Sequence, residues 1–202
     1  MTDDAFVFVV DDDEAIRRSL ELLIGAVGHD VKSFPDAAAF LDFFTSDLRG
    51  CIVADLRMPG MTGLEMQEKL VELGSTLPII FLSAHGDVPA AVRALKKGAT
   101  DFLEKPFNPT VLLERIDQAL TSESVKRRKS EKALELVQRM EALTPREKEI
   151  MTMVADGKSS KVIAIELAIS ERTVELHRFR IMKKMSARSV ADLVRMLATA
   201  RP

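Results

Sequence analysis

Four acids, a hydroxyl and one lysine fall where short apolar runs end in the first half of the chain. Asp11, Asp12 and Asp13 follow the β-rich run Phe6 to Val10, and Asp55 follows Cys51 to Ala54. Ser83 follows Ile79 to Leu82, and Lys105 follows Asp101 to Glu104. Carboxylates grouped in a concave site repel one another and need a divalent cation or a proton to coexist. Mg²⁺ keeps several waters in its octahedral oxygen shell, so one or two carboxylates and a phosphoryl oxygen suffice to hold it. A carboxylate so placed can attack a phosphoryl group and become an acyl phosphate. Lysine would then meet the added oxygens as a point charge, and serine as a hydrogen-bond donor. Singly, each of these residues describes a solvated loop. Their common place after a strand is what makes a site of them.

The elements that must position them alternate in type. Ile16, Leu20, Leu23, Ile24 and Val27 recur at helical spacing before Gly28. Leu64, Leu70 and Leu73 predict a helix stopping at Gly74, and Val88, Val92 and Leu95 one stopping at Gly98. Leu112, Leu113, Ile116 and Leu120 make the last of the series. Apolar residues at this period mark one helical face, and glycine after the last of them is the usual stop. Strands alternating with helices predict an α/β fold, a doubly wound parallel sheet with helices on both faces. Such sheets bind ligands outside the carboxyl ends of their strands, where the acids and the lysine fall.

The second half differs in charge and in pattern. Residues 1–120 hold 11 Lys+Arg against 20 Asp+Glu, a net of −9, whereas residues 121–202 hold 18 against 11, a net of +7. Only the second half is suited to a polyanion, although a solvated basic surface would read the same way. From Thr121 to Leu143 the chain is charge-rich and helix-favouring and includes the basic cluster Lys126, Arg127, Arg128 and Lys129. Ala133, Leu136, Met140 and Leu143 keep a 3-4-3 spacing, under two heptads, which favours a helical linker over a dimerisation helix.

Beyond the linker four short helices are predicted and no strands. Thr144-Pro145-Arg146-Glu147 is a capping box with proline at the first helical position, and Asp156-Gly157 stops that helix. Ser160 to Ala168 is the second and Glu171 to Met185, capped by Ser170, the third; Ser189 caps a fourth with Val190, Leu193, Val194 and Leu197 on one face. On a 100° wheel Val174, Ile181 and Met185 point one way within about 20°, and Arg172, Leu176, Phe179 and Lys183 share a stripe about 60° wide on the opposite side. Cations for phosphates beside apolar groups for thymine methyls suit a helix lying in a major groove. A packing partner for Leu176 and Phe179 is the alternative.

The motifs VVDDDE, DLRMPG, SAHGDVP and FLEKPF resemble those of the receiver domains of two-component response regulators, over residues 4–120. SAHGDVPAAV is especially similar to FixJ-type regulators. The resemblance implies a CheY-like (βα)5 receiver in which Asp55 is the phosphoacceptor. It implies that Asp11 and Asp12 are an acidic pair, and that Asp12, Asp55 and the backbone carbonyl of Arg57 bind Mg²⁺ (or Mn²⁺). Ser83 and Lys105 would hold the phosphoryl group, with Ser83 standing where many receivers have threonine, and Phe102 would change rotamer when Ser83 moves. Asp13 would be an accessory acid, and Lys105-Pro106 a cis peptide. The stretch LTPREKEIMTMVADGKSSKVIAIELAISERTVELHRFRIMKKM resembles the helix-turn-helix of the NarL and LuxR/GerE type, an all-α four-helix domain over 144–200, with 121–143 left as linker. By that resemblance Thr173 and Lys183 touch phosphates, and Glu175, Leu176 and Phe179 lie nearest the bases. Glu175 could accept from cytosine N4 or orient Arg178 or Arg172. The last helix would pair two DNA-binding domains, and His177 reads as a packed helix residue.

Together these readings imply a phosphorylation-switched transcription regulator, an activator, not an enzyme. Its partners would be a sensor histidine kinase, double-stranded DNA, RNA polymerase and, once phosphorylated, a second copy of the chain. The competing enzyme, an aspartyl-phosphate phosphatase of the haloacid-dehalogenase type, needs an aspartate two residues after its nucleophile, where Arg57 stands. A module indifferent to phosphorylation would have no use for the set Asp12, Asp55, Ser83 and Lys105. A single cysteine, Cys51, suits a reducing compartment. With no run of about 18 apolar residues and no signal-like opening, a cytoplasmic protein without a membrane partner is expected.

Overall fold

The computed structural model describes residues 5–83 and 88–200, apart from the side chains of 88–91, 199 and 200. Ala84, His85, Gly86 and Asp87 of the SAHGDVP motif, the side chain of Val88 and the expected domain start at residue 4 lie outside the described residues. The chain forms two compact units, Met1–Lys126 and Arg127–Pro202.

In the first unit five strands pair in parallel: β1 (Phe6–Val10), β2 (Asp30–Phe34), β3 (Gly50–Asp55), β4 (Ile79–Ser83) and β5 (Asp101–Glu104). Their order is β2-β1-β3-β4-β5. Alternate residues face opposite sides, and both sides are buried, so the central strands read as continuous apolar runs. Phe8, Val10, Ile52, Ala54 and Phe81 enter one core, with Phe40 of α2 (Ala37–Phe43), Met66 and Leu70 of α3 (Gly63–Glu72) and Ala94 of α4 (Val88–Lys96). Val7, Val9, Cys51, Val53, Ile80 and Leu82 enter the other, with Leu20 and Ile24 of α1 (Glu14–Gly25) and Leu112, Ile116 and Ala119 of α5 (Pro109–Glu141).

Three expected faces need correction. Val27 is 53% exposed because α1 ends before it, and Leu73 is 55% exposed beyond the end of α3, where Met66 packs instead. On α4 Ala94 is buried, while Val92 and Leu95 are 46% and 47% exposed. Their apolar character is not consumed by the core of their own unit.

The helix α5 runs without a break through Thr121, where composition set a linker apart. Its buried Glu123 lies within the first unit, and Leu136 and Leu143 are buried in the core of the second, with Met140 packed against it. Three of the four residues of the 3-4-3 spacing thus pack in the second unit, while Ala133 is exposed. The second unit continues with α6 (Pro145–Ala155), α7 (Ser160–Glu166), α8 (Glu171–Met185) and α9 (Val190–Ala200). The capping box at Thr144 and Glu147 and the caps at Ser170 and Ser189 form as expected. α7 is shorter than predicted: Ala168 takes a left-handed φ of 51°, and the N–H of Ile169 bonds the carbonyl of Ala164 at 3.0 Å. This Schellman-type end uses alanine where glycine is usual, so no glycine announced it.

Candidate functional site

The strand order changes direction between β1 and β3, so the helices diverge there and leave a crevice at the carboxyl ends. Asp11 leaves β1 at this point and Asp55 ends β3. The parallel register sets Asp55 beside Leu82 and Ser83 beside Glu104, and the backbone N–H of Lys105 donates to the Ser83 carbonyl at 2.7 Å. Lys105-Pro106 is cis. The lysine ammonium lies 2.9 Å from Asp11 Oδ2 and 3.1 Å from Asp55 Oδ2. Asp11, Asp12 and Asp55 each bring one oxygen within 4.8 Å of the others, a spacing that suits a small oxygen-bound cation.

Burial shapes the charges. Asp11 is 1% exposed, and burial, eased by the hydrogen bonds from Lys105 and the Asp13 backbone, pushes its carboxyl above the ordinary range. Burial alone would lower the Lys105 ammonium, but the bond to Asp11 and the charges of Asp11 and Asp55 outweigh it and hold the group above its usual value. Lysine thus neutralises two acids that would otherwise repel. Asp12 is exposed at the mouth, and Ser83 is fully buried at the end of β4. Phe102 on β5 is partly buried against the core cluster that includes Phe81. The Arg57 N–H donates to Asp55 Oδ1 at 3.2 Å.

Asp13 does not join the group. Its carboxylate caps α1, accepting from the N–H of Ala15 at 2.8 Å and of Ile16 at 3.4 Å. Two further residues support the site without any signal in the spacing. Arg17 reaches back from α1 to the carbonyls of Asp11 and Asp12, at 2.8 and 3.1 Å. Gly63 begins α3 so close beneath Asp55 that a Cβ there would stand 2.5 Å from the Asp55 carbonyl oxygen and 2.8 Å from the Phe81 ring. The neighbouring Thr62–Glu65 capping box was a readable start signal, but the close approach was not.

The second unit presents a different surface. Val174, Ile181 and Met185 of α8 are buried at 0, 2 and 0% exposure, while Leu176 and Phe179 stand 48% and 67% exposed. Arg172, Glu175 and Lys183 are exposed beside them, Arg178 is half-buried, and Thr173 Oγ1 meets Ser170 Oγ at 2.8 Å. Glu175 accepts from the hydroxyl of Ser160 on α7, a tie between the two helices that the wheel did not foresee. His177 is partly buried, and its Nδ1 has no hydrogen-bond partner. Arg146 donates to the Leu167 carbonyl at 3.0 Å and so closes the end of α7.

Comparison with known proteins matches both units. Residues 7–117 fit the response regulator receiver domain, and residues 141–197 the bacterial regulatory proteins of the luxR family. Nodulation protein W of Bradyrhizobium diazoefficiens is 45% identical over 96% of this chain and 86% of its own. Transcriptional regulatory protein FixJ of the same organism is 41% identical over 99% and 98%. Among solved structures the response regulator StyR superposes with a TM-score of 0.91 at 42% identity, covering 96% of this chain and 98% of StyR. No described helix is long and apolar enough to cross a membrane. Receiver domains bind Mg²⁺ at an aspartate cluster such as Asp11, Asp12 and Asp55. These matches, over both units, place this chain among the transcriptional response regulators that couple a receiver to a LuxR-type output domain.

Proposed function

We propose that Asp55 accepts a phosphoryl group from a sensor histidine kinase and that this switches the chain, as a transcription activator, to a dimer that binds DNA. The observation behind this reading is the single ammonium of Lys105 held between Asp11 and Asp55 with Asp12 alongside. An Asp55 carboxylate oxygen attacks phosphorus, the P–O bond forms, and the P–N bond of phosphohistidine breaks with its electron pair leaving on the imidazole. Asp11, Asp12, Asp55 and the Arg57 carbonyl would hold Mg²⁺ or Mn²⁺, which when bound offsets negative charge around the transferring group. Lys105 follows the new charge, about −1.5 to −2, and the Ser83 hydroxyl donates to it. Phe102 turns into the room that Ser83 leaves.

The face this repacks includes α4, where Val92 and Leu95 are already exposed, and it supplies an apolar surface for a second receiver. Two copies then bring two α8 helices to double-stranded DNA in a cytoplasm shared with RNA polymerase. There Arg172, Thr173, Arg178 and Lys183 serve the backbone, and Glu175, Leu176 and Phe179 lie toward the bases. Ser160 gives Glu175 a fixed orientation, which favours the cytosine reading over a role in steering Arg172 or Arg178.

Incubation with acetyl phosphate and Mg²⁺, followed by mass spectrometry, should add one phosphate to the chain and none to Asp55→Asn. A phosphate that persists in that variant would remove Asp55 from the role. Gel filtration with beryllofluoride should move the protein to a dimer, and Val92→Glu should hold it as a monomer.

A further inference from the structure

The last carbonyls of an α-helix have no helical donors and must be satisfied from outside. In the second unit two such ends are closed by cations that cross from one helix to the other. Arg139, two residues before the end of α5, donates from Nη1 to the carbonyl of Met185, the last residue of α8, at 3.0 Å. Lys184 of α8 donates in return to the carbonyl of Ala142, just past α5, at 3.1 Å and pairs with Glu147 at 2.6 Å. Each helix therefore supplies the positive charge that the other's negative end favours.

Both cations are themselves held. Glu135, one turn earlier on α5, accepts from the other nitrogen of Arg139 at 2.6 Å. Glu147 is buried and is already fixed as the capping-box residue of α6. Its hydrogen bond from Lys184, with that from the Thr144 backbone, lowers its carboxyl to about 2, so the pair is charged at any ordinary pH. Leu136, on α5 before Arg139, and Leu143, just past the helix end, belong to the same core cluster as Ile181 and Met185. The luxR-family match begins at residue 141, so Arg139 and Leu136 lie outside it, in a stretch that composition alone would call linker.

We infer that Arg139 and Lys184 are positioning residues that lock α8 to α5, making α5 the relay between the receiver and the DNA-reading helix. The same α5 gives Leu112, Ile116 and Ala119 to the receiver core, so a change in packing there acts on a helix whose far end is bonded to α8 at both helix ends. This inference rests on the phosphorylation switch proposed above. A purely structural clamp would serve the activated and the resting chain equally, and that difference is measurable.

The test uses the full chain and a fluorescent duplex carrying the sequence that the wild type selects from a random pool. Affinity is measured with and without beryllofluoride and Mg²⁺. Activation should tighten wild-type binding, and Arg139→Met should shrink that ratio by about tenfold, within the usual range of allosteric coupling. Glu147→Gln combined with Lys184→Met, which removes both charges and strands neither, should shrink it similarly. Lys184→Arg, able to make both contacts, should restore it. Thermal melts identify any variant that has lost its fold, and Arg139→Lys then replaces Arg139→Met as the milder break. Equal losses in both states, or no loss in either, would overturn the relay while leaving the switch intact. A wild type indifferent to beryllofluoride would overturn the switch, and the relay with it.

Discussion

The carboxylate crevice and the α8 surface both depend on charge, yet they are built in opposite ways. In the crevice the inner acids are paired: Asp11 is buried, and Lys105 is shared between it and Asp55. On α8 the candidate reading groups Arg172, Glu175, Leu176, Phe179 and Lys183 are exposed, Phe179 at 67%. A buried charge must be paired, and removing one partner leaves the other stranded at a cost to the whole fold. An exposed one costs the fold nothing when changed. The switch should therefore be inseparable from receiver stability, and the reading face should be separable from it.

The largest effect should come from breaking the pairing in the crevice. Lys105→Met leaves Asp11 and Asp55 facing each other without their shared cation. Loss of a partner from such a group costs about 3 kcal/mol. Urea unfolding at neutral pH should show that loss, and millimolar Mg²⁺ should recover part of it by supplying charge where the lysine was. Unchanged stability would mean that the two acids do not depend on Lys105. Acyl phosphate formed from acetyl phosphate should fall as well, since the group that steadies the added oxygens is gone.

The same contrast explains what the sequence alone could show. A parallel sheet brings every strand end to one edge, so the positions of Asp11, Asp55, Ser83 and Lys105 followed once the strands were found. β2, with the sequence DVKSF and no fully buried residue, is an edge strand without the apolar run that marks the others. Asp13, expected only as an accessory acid, caps α1; a helix cap and a site acid both read as an acid after a strand, and only the direction of the side chain tells them apart. Arg17 and Gly63 act through the backbone, one by bonding carbonyls and one by having no Cβ, and neither leaves a pattern in the sequence. The α8 face was legible from its period alone, because three core positions locate the opposite side. The reciprocal caps were not, since Arg139 and Met185 are joined only by the fold.

Next in size, in the second unit, is the ion pair of Glu147, whose carboxylate is buried, with the partly exposed Lys184. It makes that unit resemble the receiver more than its own reading face. Glu147→Gln keeps the capping geometry and loses a charged hydrogen bond worth about 1.5–3 kcal/mol. The pH dependence follows from the lowered carboxyl. A group at 4.5 unfolded and about 2 folded contributes fully above 4.5 and loses that contribution as pH falls through 2. The stability gap between wild type and Glu147→Gln should therefore be widest near neutrality and close below pH 4.5. A gap that stays constant down to pH 2 would show that the charge is not what Glu147 contributes.

On the reading face, Phe179→Ala should leave the melting temperature within the noise of a surface change, about 0.5 kcal/mol. It should nevertheless weaken specific DNA binding by about 1 kcal/mol or more, the scale of one base contact. Val174→Ala on the buried side of the same helix should do the reverse and cost about 2 kcal/mol of stability first. If Phe179→Ala destabilised the fold instead, the apolar groups would be packing surface and not reading surface.

The smallest change should be the most diagnostic of orientation. Lys183 is exposed on α8 one residue before Lys184, whose ammonium is committed to Glu147 and Ala142. Neighbouring lysines thus divide the two tasks, one bonding within the unit and one facing outward. Lys183→Gln should leave unfolding unchanged, weaken binding by a similar factor on all duplex sequences, and flatten the dependence of log affinity on log salt by about one unit. Lys184→Gln should instead lower stability and leave the salt slope close to wild type. An altered base preference in Lys183→Gln would place that residue at the base edges, and α8 would then have to lie in the groove rotated from the orientation that its core residues specify.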